Sequence, residues 1–184
     1  MTRKLSDAVT VRDFIEVARA YCAALDAHAE RQPRELFEQL ELILAQLIAG
    51  VLRLPTVHRP GPAPPKRDFL PTWQPVVESL ADWLGEHRHY WAVFDPTTLP
   101  KDEPTMGDLA DDLTDIYCDL RRGLDAWDAA DSTTRLEIVW TWRFGYESHW
   151  GHHAVDALRT IYEHLTMLKL GRSTDATETQ KAGA

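Results

Sequence analysis

Cysteine is scarce in this chain: of 184 residues only Cys22 and Cys118 are thiols, and neither stands in a CxxC or Cys/His spacing. A disulfide framework is therefore not expected, and both read as small apolar core residues. Long apolar runs are missing as well. No stretch approaches the roughly 18 apolar residues of a membrane span, and the first residues, MTRKLSDAV, carry charge without an apolar signal core. A cytoplasmic protein with no membrane partner is the expectation. Positive charge is also short, with 20 Lys and Arg against 29 Asp and Glu, a net charge of -9. Residues 102–131 alone hold ten acids and two arginines, which is -8, while the remaining residues nearly balance. That distribution argues against a nucleic-acid partner, which would need clustered Lys and Arg, and favours cations or a basic protein patch. Finally, no segment alternates apolar and polar residues with the period of a strand.

What is present is helical periodicity. A 44% hydrophobic and 27% charged chain of this length is expected to form one domain with a real core, over residues 1–170. From an N-cap at Ser6 or Asp7, Val11, Phe14, Ile15, Ala18, Tyr21, Cys22 and Leu25 keep helical spacing. Pro33 suits the first turn of a second helix, whose stripe runs Leu36, Phe37, Leu40, Ile43, Leu44, Leu47, Ile48 and Val51. Outside that stripe Glu35, Glu38 and Glu41 form an ExxExxE string, which a solvated face explains better than metal ligation. Residues 54–68 contain five prolines and predict a long surface loop. A third helix from near Thr72 directs its apolar side towards Tyr90 and Trp91 and ends at FDPTTLPKDEP. Thr105 and Asp108 make a variant capping box for a fourth. The fifth, from Ser132 to Leu170, would be about 57 Å long as a straight helix, more than a domain about 40 Å across can hold. It must project, bend or break, and Gly145 and Gly151 are the expected places. The tail 171–184 is expected to be disordered. The fold class is thus all-α, a single-domain irregular bundle of about five helices with a long, kinked C-terminal helix.

Three clusters could carry chemistry. On helix four, Asp108, Asp112, Asp115 and Asp119 form a stripe beside the apolar face, with Asp112 and Asp115 as candidate ligands of a divalent cation such as Mg²⁺. The string Asp111-Asp112-Leu113-Thr114-Asp115 also matches the DDxxD of terpene synthases, but those enzymes need a longer bundle and a second acidic motif. On helix five, His149 and His153 stand four apart, as zinc-binding histidines do. A third ligand would have to come from elsewhere, and a helical wheel places these histidines off the apolar face. The third cluster lies in Trp140 to His153, WTWRFGYESHWGHH. On a straight wheel Leu136, Trp140, Glu147, Trp150, Ala154, Leu158, Ile161 and Leu165 share one face with Arg143 in its middle. Arg143 and Glu147 would then be an inward ion pair. Either they fix helix register, or Arg143 holds a small anionic ligand in a pocket walled by Trp140, Trp150, Tyr90 and Trp91. If both are inside, removing either alone should cost about 3–5 kcal/mol.

The segments YWAVFDP from Tyr90, DLADDLTDIYCDLRRGL from Asp108 and WTWRFGYESHWGHHAVDALR from Trp140, in that order, resemble the bacterial family catalogued as domain of unknown function 5063. The resemblance covers most of the chain to about residue 165 and implies a small all-helical protein, with no catalytic residue to carry over. No nucleophile, base and orienter occur at recognisable spacing. The expected function is therefore a binding or interaction module for a protein or a small anionic ligand. The alternative is a metal-dependent hydrolase of a phosphorylated or nucleotide-like ligand using the Asp stripe and Arg143.

Overall fold

The first helix, α1, covers Val9–Asp26 and buries the expected stripe from Val11 to Leu25. Its N-cap is Ala8, which offers no side-chain acceptor; the expected caps Ser6 and Asp7 lie outside the described residues. A 3-10 turn at His28–Glu30 leads to α2, Pro33–Leu52, with Pro33 in the first turn and seven apolar residues from Leu36 to Val51 buried. This computed structural model describes residues 8–58, 74–93, 97 and 103–169. Most of the proline-rich loop and the tail after Lys169 lie outside the described residues.

Helix α3, Gln74–Leu84, buries Leu80 and Leu84 and closes in a 3-10 turn at Gly85–His87. The chain does not carry that helix on to Tyr90 and Trp91. It forms β1, His89–Ala92, which pairs antiparallel with β2, Thr105–Asp108, in the register Tyr90↔Gly107 and Trp91↔Met106. The expectation of no strand is corrected here: two four-residue strands are too short for a period of two to stand out from background. The cap of the next helix moves accordingly. Thr105 belongs to β2, and Asp108 is the N-cap of α4, Leu109–Trp127, accepting from the N–H groups of Ala110 at 3.0 Å and Asp111 at 3.4 Å.

Asp131 caps α5, Ser132–Gly145, by accepting from the N–H of Thr134 at 2.8 Å. A single π turn, Tyr146–Trp150, joins it to α6, Gly151–Lys169. The long last helix is therefore interrupted between the two glycines, by a π turn. Gly151 is needed there for close approach, since a Cβ at that position would lie 2.1 Å from the carbonyl oxygen of Tyr146. A π turn also inserts one residue into the helical phase. Beyond it the buried face is Trp150, Ala154, Ala157, Ile161 and Leu165, which agrees with the wheel except that Ala157 is buried and Leu158 only half-buried; before it the buried residues are Leu136, Ile138, Val139 and Trp142.

Helix α4 packs against α1, α3, α5 and α6, and α2 packs against α1 and α6, so α4 and the interrupted last helix share the middle of the bundle. Among the described residues no helix is long and apolar enough to cross a membrane.

Candidate metal centre

The acidic stripe of α4 meets the histidines of the last helix. Asp112 Oδ1 accepts from His153 Nδ1 at 2.7 Å, and Asp119 Oδ2 accepts from His149 Nδ1 at 2.8 Å. As α4 runs forward from Asp112 to Asp119 its partners run back from His153 to His149, so the two helices lie antiparallel. A carboxylate only accepts, so both imidazoles carry their proton on Nδ1. Their Nε2 atoms then face a third carboxylate, with Asp115 Oδ2 at 3.2 Å from His153 Nε2 and 3.7 Å from His149 Nε2. The three ligand atoms lie within 4.8 Å of one another.

Neutral imidazoles in this tautomer would aim two lone pairs at an oxygen anion, an arrangement that calls for a cation between them. Burial of His153 would lower its pKa, but the hydrogen bond to Asp112 and the charges of Asp115, Asp112 and Asp111 outweigh that and raise it. Asp115 is raised by burial, with His153 pulling the other way, and the flanking Asp156 is raised by burial and then by Asp112. His152 is lowered by burial and by the neighbouring His153. The centre is walled on one side: His153 is mostly buried, while His149 is about half exposed at the rim.

The fourth member of the acidic stripe is used otherwise. Asp108 caps α4 and takes an ion pair from Arg88 at 2.6 Å. Of the two expected cation ligands, Asp115 faces both Nε2 atoms and Asp112, only 5% exposed, sits one position behind, bound to His153 and to the hydroxyl of Tyr90.

The other expected site residues do not assemble into one pocket. Arg143 pairs with Glu147 at 2.9 Å, yet the Glu147 side chain is 57% exposed and that of Arg143 29%. The inward ion pair is thus corrected, and the cause is the π turn, which puts Trp142 rather than Arg143 on the core side. Arg143 Nη1 instead donates to the carbonyls of Val51, Leu52 and Leu54, at 3.2 to 3.4 Å, where α2 ends. Trp140 stacks on Phe144 at 4.8 Å, and with Arg143, Glu147, Thr56 and Val57 these two line a shallow cavity of about 260 Å³. Trp150 is fully buried, donating its indole N–H to the carbonyl of Trp142, so it is core and not a wall of that cavity. Trp91 is 75% exposed on the ribbon. The acids of α4 are met by histidines, not by Arg143.

The histidines were legible as an i, i+4 pair and the acids as a stripe, but the sequence carries no signal that these two surfaces face each other. Comparison with known proteins gives a family and a fold. The model of the family described as "Domain of unknown function (DUF5063)" matches residues 7–167. A crystal structure of protein BF1032 from Bacteroides fragilis is similar to this one with a TM-score of 0.74 at 19% identity, over 88% of this chain and 95% of that one. A search of the curated proteins finds no match.

Proposed function

The chain belongs to the DUF5063 family, and for this member we propose a binding module whose ligand is a divalent transition metal held by Asp115, His149 and His153. The observation that carries it is the convergence of two Nε2 atoms on Asp115 Oδ2 while each Nδ1 is fixed by a further carboxylate. Metal-binding histidines nearly always hold their other ring nitrogen in this way, which sets the tautomer and raises the basicity of the ligand. Ligands about 2.0–2.1 Å from a tetrahedral ion stand about 3.3 Å apart, close to the spacings at Asp115. Two imidazoles favour Zn²⁺, Fe²⁺, Co²⁺ or Mn²⁺ over the Mg²⁺ that the acidic stripe alone suggested, because Mg²⁺ prefers oxygen ligands throughout.

The surroundings favour a metal as the ligand over a phosphorylated substrate. Asp111, Asp112, Asp119 and Asp156 ring the centre and would repel an anion, and Arg143, the cation such a hydrolase would use, is engaged at the end of α2. Calorimetric titration with Zn²⁺, Co²⁺ and Mg²⁺ tests the reading. Zn²⁺ and Co²⁺ should bind at one site, Mg²⁺ far more weakly, and His149→Ala or His153→Ala should abolish binding with the helical circular dichroism retained. Wild-type protein that takes up neither Zn²⁺ nor Co²⁺ would rule it out.

A further inference from the structure

One short contact at this centre comes from neither helix. The hydroxyl of Tyr90, on β1, donates to Asp112 Oδ2 at 2.5 Å. Asp112 is the one buried carboxylate among the described residues, and its other oxygen, Oδ1, receives the Nδ1 proton of His153. A carboxylate held at one oxygen alone can turn about its side-chain bonds; held at both, its plane is fixed.

The ribbon is built to deliver that hydroxyl. Opposite Tyr90 in the register is Gly107, where a Cβ would lie 2.4 to 2.9 Å from atoms of the Tyr90 ring, so only glycine lets the ring cross the partner strand. At the end nearer Arg88 the ribbon is fastened to the start of α4. Arg88 pairs with Asp108, and the N–H of Leu109 donates to the carbonyl of Arg88 at 2.8 Å. Tyr90 is therefore held at its backbone, at its ring and at its hydroxyl.

We infer that Tyr90 is a positioning residue for the metal: by fixing both oxygens of Asp112 it holds His153 in the tautomer and orientation that direct Nε2 at the ion. This rests on the metal reading above. A Tyr90 that served only to fasten the ribbon to α4 would affect folding and leave the metal untouched.

The two roles separate on the full chain with Co²⁺ and Zn²⁺ as probes. Tyr90→Phe removes the hydroxyl and keeps the ring. It should weaken Zn²⁺ affinity by about 10- to 100-fold, the range found when the outer partner of a metal-binding histidine is lost, and change the visible absorption of bound Co²⁺. Far-ultraviolet circular dichroism should stay the same, and Met106→Ala, on the same ribbon, should bind as wild type does. Tyr90→Phe protein with the wild-type dissociation constant and Co²⁺ spectrum would overturn the inference while leaving the metal centre standing. If Tyr90→Phe does not fold, Gly107→Ala keeps the hydroxyl but displaces the ring, and it should weaken Zn²⁺ to a similar degree; unchanged affinity there overturns the inference equally. Failure of wild-type protein to bind either ion would instead remove the centre itself.

Discussion

Arg143 shows how far one residue's role depends on which way it points. Its guanidinium, shared between Glu147 and the last carbonyls of α2, works as a helix cap supplied by another helix. The orphan carbonyls at a helix C-terminus carry partial negative charge, and a cation there stabilises by a few tenths of a kcal/mol to about 2 kcal/mol when partly buried. Arg143→Ala should therefore cost about 1–2 kcal/mol in urea denaturation, because it removes the cation at the end of α2 and the side-chain donor to the carbonyls of Leu52 and Leu54, while Val51 keeps the N–H of Leu54. Glu147→Ala removes only the exposed half of a surface pair and should cost less than about 1 kcal/mol. Equal losses of about 3–5 kcal/mol from each would mean that the pair is buried together after all. The asymmetry between the two substitutions is the feature to measure, since it separates a cap from a mutual ion pair.

At the scale of elements, the π turn between α5 and α6 decides what the sequence could and could not reveal. Helices α1 and α2 are regular, and every residue of their expected stripes from Val11 to Val51 is buried apart from Ile48, which lies at the margin of the core. The wheel of the last helix holds from Trp150 onward at Ala154, Ile161 and Leu165, with Ala157 buried where the wheel has Leu158. Projected back through an inserted residue it selects Trp140, Arg143 and Glu147 where the chain buries Val139 and Trp142, so a straight wheel turns an exposed pair inward. Glycine marks the place of the interruption, but a kink and an insertion look alike in sequence. The ribbon was missed for another reason, since four residues on each side are held by their pairing and by Asp108 more than by any pattern of their own. Gly151 then becomes a sensitive position. Alanine cannot be placed there beside the carbonyl of Tyr146, so Gly151→Ala must either force the π turn open or turn it into α-helix. The second course rotates α5 against α6 by about 100° and takes Trp142 or Trp150 out of the core. The loss should be about 3–5 kcal/mol, the scale of removing a large buried aromatic, with a changed near-ultraviolet circular dichroism from the displaced indole. A variant as stable as wild type with an unchanged tryptophan signal would show that the π turn does not depend on this glycine.

On the scale of the whole molecule the charge is concentrated along the chain, because -8 of the net -9 lies in residues 102–131, and the centre formed by Asp115, His149 and His153 takes its carboxylate from that segment. The histidines neutralise part of it locally, yet the exposed Asp111 and the partly exposed Asp156 add field without ligating. In water at physiological salt a divalent ion and a carboxylate about one Debye length apart attract by roughly 0.3–0.5 kcal/mol after screening. One such acid changes affinity by about twofold, and several together by about tenfold. The metal affinity should therefore weaken by about 3- to 10-fold between 0.05 and 0.5 M sodium chloride, with the enthalpy of coordination little altered. Asp111→Asn should weaken binding about twofold at low salt and make the salt dependence shallower. The same substitution should be nearly silent at 0.5 M, where the Debye length has fallen to about 4 Å. Salt-independent affinity, or an Asp111→Asn loss that persists undiminished at high salt, would mean that Asp111 contributes a direct contact and that the acidic face does not act on the ion through its field.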